Sequence, residues 1–244
     1  MHVFGDLVRW FSQGSHWTGS GGVPTRVLQH VEISAVAVAL AAAVALPAGL
    51  FIGHTRKGEL VAVSVANMGR AVPSFAILSI VFQLMLAFAA LRSFAFGFVP
   101  TVVALWLLAI PPVLTNAYVG VQQVDPDTVE AARGMGMTGR EVLLKLEMPL
   151  AAPLVLAGLR TAAVQVVATA TLAALIGGGG LGRYIIDGFH TGDRTTVVAG
   201  AVLVAVLAIL TEVSMGALER AVTPRTSSRG PRRRRERVFV PKTA

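Results

Sequence analysis

Five long apolar stretches constrain this chain more than any other feature. A helix needs about 20 predominantly apolar residues to cross a bilayer, and each stretch reaches that length. The stretches lie at about 31–53, 60–91, 99–121, 150–176 and 196–218. Because Asn67, Arg70 and Pro73 interrupt the over-long second stretch, it is either one kinked helix or two short spans. The pattern predicts an all-α integral membrane protein with five transmembrane helices, or six if the second stretch crosses twice.

The composition indicates that lipid is the main solvent of the chain. Apolar residues make up 54% of it and charged residues 14%, whereas soluble domains have roughly 25% charged residues. The net charge of +8 does not indicate nucleic-acid binding, because eight of the 21 basic residues lie in one tail, 225–242. The chain has no cysteine, which excludes disulfides and thiolate metal sites. We expect no metal and no cofactor.

The basic residues between the stretches predict the orientation, because basic loops face the cytoplasm. Such clusters follow the first, third and fifth stretches, at 54–59, 122–149 and 220–237. The first two clusters must be separated by an even number of crossings, so 60–91 crosses once. The first apolar stretch begins too late for a signal peptide and is expected to stay as a span. The N-terminus is then outside and the C-terminus is cytoplasmic.

This orientation divides the chain into three parts. They are an extracytoplasmic segment, a membrane domain and a basic tail, at 1–26, 27–222 and 223–244. The tail is expected to be disordered and to anchor the topology.

Two glycine motifs have the spacing of nucleotide-binding loops, but the residues around them do not match such loops. Gly134, Gly136 and Gly139 match G-x-G-x-x-G, which needs a preceding strand and an acidic residue about 20 residues later. Apolar spans flank the motif instead, and 155–162 contains no acidic residue. The second motif, at 177–184, has Arg and Tyr where a phosphate loop has Lys and Ser or Thr. We therefore expect this chain to bind no nucleotide.

The residues around the first motif predict two short capped helices. Asp125 is a suitable N-cap for the first helix, and Gly134 or Gly136 can supply a left-handed stop. The sequence Thr-Gly-Arg-Glu at 138–141 is a capping box that opens the second helix. That helix can continue until Pro149 ends it or begins the next span. A loop that only connects spans would rarely carry two capped helices.

The same residues resemble a known family. The sequence EAARGMGMTGREVLLKLEMP at 130–149 resembles the E-A-A-x3-G-x9-I-x-L-P signature of permease subunits of bacterial ATP-binding cassette (ABC) importers, with Leu146 and Met148 replacing Ile and Leu. Residues 110–190 more narrowly resemble the permeases for the osmoprotectants glycine betaine, carnitine, choline or proline. The methionine permeases share the fold and the glycine-rich turn but are less similar in sequence.

The resemblance implies the type I importer permease fold and a division of labour. Two permease subunits form the pathway, cytosolic ABC ATPase subunits hydrolyse ATP, and an extracytoplasmic solute-binding protein delivers the solute. This chain would be a non-catalytic subunit of the bacterial cytoplasmic membrane. Its partner permease would more often be a related chain than an identical copy.

The resemblance also implies a coupling loop, residues 123–149, that docks on the ATPase. Glu130 would contact the ATPase, Gly136 would set the bend, and Pro149 would fix how the loop joins the fourth span. The full set of residues implied in coupling is Glu130, Ala131, Ala132, Gly134, Gly136, Thr138 and Pro149.

Polar residues on two spans predict either a translocation pathway or interhelical packing. They are Asn116 and Tyr118 on the third stretch and Thr161, Gln165 and Thr169 on the fourth. The last three recur at helical spacing together with Gly158, and polar groups in a membrane face a bundle interior or a cavity. A double proline, Pro111-Pro112, frees backbone groups that only protein or a lined cavity can satisfy. Both interpretations remain open.

Further residues are candidates for gating or for structural roles. Arg70 and Arg160 are costly in lipid. We expect Arg160 to pair with a carboxylate or with backbone carbonyls, or to extend towards the cytoplasm. The other candidates are Pro73, Pro111, Pro112, Gly177, Gly180 and Gly182.

Two other protein classes fit less well. An ion-coupled carrier usually has repeated halves and ionisable groups at the midplane, whereas five spans do not divide into two repeats and no Asp lies within them. An intramembrane enzyme would need H-E-x-x-H, G-x-S-x-G or a pair of aspartates in the spans, and none occurs. An ABC permease for another small solute, such as methionine, is the nearer alternative.

Overall fold

The computed structural model describes residues 3–222, and the described residues are helical with short connections. The helices are α1 (Val3–Ser12), α2 (Val23–Thr55), α3 (Glu59–Ala71), α4 (Ser74–Ala87), α5 (Phe98–Gln122), α6 (Pro126–Gly134), α7 (Gly139–Glu141), α8 (Met148–Thr169), α9 (Gly182–Thr191) and α10 (Arg194–Val222). A π-helical segment, Val142–Glu147, joins α7 to α8, and a 3₁₀ segment, Ala170–Ile176, follows α8. The tail predicted at 223–244 lies outside the described residues.

Within residues 3–222, four helical segments are long and apolar enough to cross a membrane. They are α2, α5, the continuous helix Gly139–Ile176, and α10, and they coincide with four of the five predicted stretches. The remaining stretch, 60–91, is divided between α3 and α4, and α4 is an apolar helix of 14 residues. Pro73 lies at the break, where its fixed φ and missing N–H favour the start of a helix over its continuation.

The central helix is α5, which contacts α2, α3, α4 and α8. Alanines of α2 and α8 meet larger residues of α5 in the main core. This cluster includes Ala37, Ala41 and Ala45 of α2, Leu105, Val113 and Leu114 of α5, and Ala162 and Val166 of α8. Small side chains let membrane helices approach closely and gain dispersion contacts.

Two glycines of α2 bring its backbone against α5. Gly49 and Gly53 lie one turn apart on the same face of the helix. A Cβ at Gly49 would lie 2.8 Å from the carbonyl oxygen of Leu114, and one at Gly53 would lie 2.8 Å from the carbonyl oxygen of Tyr118. A larger residue at either position would push the helices apart. The G-x-x-x-G spacing, which is typical of paired membrane helices, was the available sequence signal for this contact, and our sequence analysis missed it.

The glycine-rich turn before α9 needs glycine at particular positions. Gly177 and Gly180 have φ of +79° and +87°, in the left-handed region that favours glycine. Gly182 is the first residue of α9, where a Cβ would overlap the carbonyl oxygen of Thr171. The turn therefore lies directly against the 3₁₀ segment that follows α8.

Two side chains of α2 hold this turn in place. Gln29 Oε1 accepts a hydrogen bond from Gly180 N–H at 3.0 Å, and His30 Nδ1 accepts one from Leu181 N–H at 3.2 Å. The other ring nitrogen of His30 donates to the carbonyl of Val167 at 2.8 Å. The buried imidazole of His30 thus joins α2, α8 and the glycine turn with both nitrogens satisfied.

Candidate functional site: a membrane cavity and a capped loop

A cavity of about 600 Å³ lies between α3, α4, α5 and α8. Its lining residues, among those that the structure describes, are all uncharged. Hydroxyl and amide side chains supply the polar part of the lining: Ser74, Thr115, Asn116, Thr161, Gln165 and Thr169. The remaining lining residues are Gly69, Val72, Pro73, Leu108, Pro111 and Pro112.

Four of the five predicted pathway residues line this cavity, and Tyr118 does not. Thr161, Gln165 and Thr169 lie at intervals of four residues along one face of α8. Tyr118 is buried in the main core instead, 8% exposed. The reason is geometric, because residues two apart on a helix point about 200° apart, so Asn116 and Tyr118 of α5 face different neighbours.

The polar stripe of α8 also contributes to packing. At Gly158 a Cβ would lie 3.0 Å from the carbonyl oxygen of Pro112, so this end of the stripe allows α8 to approach α5. The next residues of the stripe, from Thr161 onwards, line the cavity. One end of the stripe therefore packs against α5, and the rest of it lines the cavity.

The double proline lies inside α5 without ending it. The carbonyl of Leu108 precedes Pro111 and Pro112 by three and four residues, and neither proline has an N–H to donate. Leu108 itself lines the cavity, and its carbonyl lacks the N–H donor that a residue other than proline would supply at position 112. Asn116 Nδ2 donates to the carbonyl of Pro112 at 2.8 Å, which stabilises the helix just beyond the prolines.

Arg160 of α8 pairs with two carboxylates of α10. Its Nε donates to Glu212 Oε1 at 2.8 Å, and its Nη1 donates to Glu219 Oε2 at 3.2 Å. Glu212 and Glu219 are two helical turns apart and share one face of α10. Carboxylate pairing, one of the outcomes predicted for Arg160, is confirmed. Arg70 lies in α3 close to the break before α4, and its side chain lies outside the described residues.

The loop between α5 and α8 begins with the predicted cap. Asp125 is the N-cap of α6, and its side chain accepts a hydrogen bond from Asp127 N–H at 3.0 Å. The helix ends at Gly134, which remains helical, and Gly136 has the positive φ of +91°. Of the two glycines predicted to stop the helix, Gly136 therefore supplies the left-handed turn.

The predicted capping box is also present. Thr138 N–H donates to Glu141 Oε2 at 3.0 Å, and Glu141 N–H donates to Thr138 Oγ1 at 3.4 Å. Lys145 Nζ donates to Glu141 Oε1 at 2.9 Å. The bond from Lys145, followed by those from the backbone and hydroxyl of Thr138, lowers the pKa of Glu141 from 4.5 to about 2.

The second helix of the loop is continuous with the following span. Of the two outcomes predicted at Pro149, the structure shows the beginning of the span, because Pro149 lies in the first turn of α8. The π-helical segment Val142–Glu147 comes directly before it. A π turn shifts the hydrogen-bond pattern by one residue, and here it immediately precedes the proline that lacks a donor.

The exposed face of α6 is small and partly charged. Glu130, Ala131 and Gly134 are exposed, whereas Ala132 is 4% exposed and faces inward. Met135, just after the helix, is 79% exposed. The exposed glutamate, alanine and methionine form a low surface that another protein can approach closely.

A second cavity, of about 430 Å³, lies between α6 and the ends of α2 and α5. Its ionisable lining residues are His54, Arg56, Glu130, Arg133 and Glu147. Within it, His54 Nδ1 lies 2.6 Å from Glu147 Oε2. No local sequence pattern pairs these two residues, because 93 residues separate them.

The chain has several helices of membrane-spanning length, a cavity whose described lining is uncharged, and a capped loop that joins two of these helices. This is the architecture of a multi-pass membrane protein. A profile of the family described as "binding-protein-dependent transport system inner membrane component" matches residues 45–224. The chain belongs to this family. Membership confirms the resemblance to ABC importer permeases and the expectation of a non-catalytic membrane subunit that works with an ATPase and a binding protein.

Named relatives and a solved structure are also similar to this chain. The chain is 36% identical over 207 residues to the choline transport system permease protein OpuBB of Bacillus subtilis (strain 168), covering 85% of this chain and 91% of the relative. It is 34% identical over 219 residues to the carnitine transport permease protein OpuCB of Listeria monocytogenes, covering 90% and 94%. The inward-facing MetNI methionine ABC transporter matches with a TM-score of 0.71 at 20% identity, over 81% of this chain and 94% of that chain, which shows the fold.

Proposed function

We propose that this chain is the permease subunit of an ABC importer for a compatible solute such as glycine betaine, choline, carnitine or proline. The observation that carries the proposal is the similarity, over most of both chains, to permeases named for choline, carnitine and glycine betaine transport. The likeness to the methionine transporter concerns the fold alone.

The cavity of about 600 Å³ would be part of the translocation pathway. Asn116, Thr161, Gln165 and Thr169 would contact the passing solute, while Tyr118 would pack behind this wall. A transported solute must bind weakly enough to leave again. Uncharged hydroxyl and amide groups suit a zwitterion or a quaternary ammonium ion in this respect, because they offer dipoles without a tight ion pair.

Residues 123–149 would form the coupling loop on the cytoplasmic side. Glu130 would make a polar contact with the ATPase, and Ala131 and Gly134 would keep the docking surface low. Gly136 would set the angle between α6 and α7, and Thr138 would start the helix that leads through Pro149 into the span. Ala132 would support α6 from inside.

The remaining assignments concern gating and topology. Arg70 and Pro73 would act at the break between α3 and α4, and Pro111 and Pro112 at the cavity wall. Arg160 would hold α8 to α10, and Gly177, Gly180 and Gly182 would shape the extracytoplasmic turn. Five crossings would place the N-terminal segment 1–26 outside, the domain 27–222 in the membrane and the tail 223–244 in the cytoplasm. The partner permease would be a related, non-identical chain.

The test is ATP-dependent uptake of labelled glycine betaine, choline, carnitine and proline into vesicles that contain the full complex, with methionine as comparator. We expect uptake of at least one of the four. In the same complex, Glu130→Arg should abolish co-purification of the ATPase without unfolding the spans, because it reverses the charge at the docking surface. Glu59→Arg, the same change at an exposed glutamate of α3, is the matched control and should retain the ATPase.

Two results would contradict these proposals separately. Uptake of methionine alone would remove the osmoprotectant assignment and leave the importer assignment in place. Normal ATPase binding by the Glu130→Arg variant would remove the proposed contact at α6.

A further inference from the structure

The inner side of the loop between α5 and α8 holds a charged side chain. Glu147 is 5% exposed, and its Oε2 accepts a hydrogen bond from His54 Nδ1 at 2.6 Å. A buried carboxylate is costly unless a donor or an opposite charge lies beside it. The nearby Arg56 is engaged elsewhere, since its Nη2 donates to the carbonyl of Gln122 at 3.3 Å. His54 therefore determines where Glu147 lies.

The partner of Glu147 belongs to the helical core. His54 lies in the last turn of α2, the helix that shares the main core with α5. A Cβ at Gly139 would lie 3.5 Å from Nε2 of His54. The side chain of His54 thus bonds to Glu147 at one end of the segment 139–147 and lies beside Gly139 at the other. This segment runs from the start of α7 to the end of the π segment.

This segment combines a capped first turn with a π-helical part. The capping box of Thr138 and Glu141 and the bond from Lys145 stiffen its first turn. The π-helical turns that follow are rare and often occur at functional sites. The cavity of about 430 Å³ separates α6 from the ends of α2 and α5. A force on α6 would therefore bend the chain at the π segment, unless that segment is tied to the core.

We propose that His54 and Glu147 form a strut that transmits movement of the coupling loop to the α2–α5 core. The inference rests on the proposed function, in which the ATPase moves α6. With the strut, displacement of α6 turns α2, α5 and the start of α8 together. Without it, α6 moves with the ATPase while the membrane-spanning helices keep their positions. ATP is then hydrolysed without transport. Both are positioning residues, since their contact is with each other and with the segment.

The test measures solute taken up per ATP hydrolysed by the full importer in proteoliposomes. The double variant His54→Leu with Glu147→Leu removes the hydrogen bond and the buried charge together, so no unpaired carboxylate is left to destabilise the fold. We expect normal ATPase co-purification and ATP hydrolysis, with uptake per ATP lowered by about tenfold, within the usual range of coupling between sites. A role in folding alone would not change this ratio.

Two single variants serve as controls. His54→Asn keeps a donor near the position of Nδ1 and should retain most of the coupling that His54→Leu loses. Arg183→Gln removes the pair of Arg183 and Asp187 within α9, outside the coupling loop, and should leave uptake per ATP unchanged, because such pairs within one helix contribute little. An unchanged ratio in the double Leu variant would overturn the strut. Loss of ATPase binding in that variant would overturn it too, because the pair would then maintain the docking surface.

The wild-type complex separates this inference from the proposed function. If it takes up methionine and none of the four solutes, the solute assignment fails, and the strut is tested from methionine uptake per ATP hydrolysed. If it binds no ATPase, the proposed function fails before the strut is reached. If wild type and the double Leu variant are equally coupled, only the strut fails.

Discussion

At the scale of single residues, Glu141 shows how one carboxylate supports a helix start. Its pKa is lowered from 4.5 to about 2 by the bond from Lys145 and then by those from Thr138. A lowered pKa in the folded state means that ionised Glu141 contributes stability above its ordinary pKa. That contribution is lost as the pH falls through about 2.

We predict that the carboxyl group of Glu141 titrates with a midpoint near pH 2 in the folded protein. Lys145→Gln should raise the midpoint towards 4.5, because it removes the largest cause of the shift. NMR titration of the ¹³C-labelled carboxyl in nanodiscs measures this directly. Thr138→Val, which removes only the hydroxyl, should raise the midpoint less. A wild-type midpoint near 4.5 would show that the capping box is not formed in solution.

At the scale of elements, α10 is joined to α8 by Arg160 and its two carboxylates. Arg160→Met should lower the thermal unfolding temperature of the purified subunit by several degrees, because Glu212 and Glu219 then lose their cation beside hydrocarbon. Adding Glu212→Gln and Glu219→Gln to this variant should recover most of the loss, since the unpaired charges are gone. Thermal unfolding followed by circular dichroism measures both changes.

The matched control for this prediction is Arg183→Met on α9. Arg183 pairs with Asp187 at 3.0 Å within one helix, so its loss breaks no contact between helices, and i,i+4 pairs contribute little. Equal unfolding temperatures for wild type and the Arg160→Met variant would show that other contacts hold α10.

Elements with local causes could be predicted from the sequence, and elements that depend on distant partners could not. The spans follow from runs of apolar residues, and the caps at Asp125 and Thr138 follow from residues three or fewer positions away. No local sequence pattern indicates the π segment. Glu147 and His54 are brought together only by the packing of the loop against α2. The α8 stripe was visible at helical spacing, but Ser74 joins the same cavity only through the break between α3 and α4.

At the scale of the whole molecule, the sidedness of the chain depends on the stretch 59–87. With 14 residues, α4 is about 21 Å long at 1.5 Å per residue, which is short of a hydrocarbon core of about 30 Å. It is too short to cross alone, and α3 has only 13 residues, so two separate crossings would leave both helices too short. The basic clusters at 54–59 and 122–149 also favour a single crossing, because both are expected on the cytoplasmic side.

We predict that α3 and α4 together cross the membrane once. The chain contains no cysteine, so single cysteines can be introduced without background labelling of this subunit. In right-side-out vesicles, an impermeant maleimide should label Ser15→Cys and Ser93→Cys at once. It should label Lys57→Cys and Arg140→Cys only after permeabilisation. All four positions are exposed, so a lack of labelling reports the side of the membrane and not burial. If α3 and α4 crossed separately, Ser93→Cys would be protected from the maleimide in sealed vesicles, and Arg140→Cys would react from outside. The loop that carries Glu130 would then lie outside, where no cytosolic ATPase could bind it.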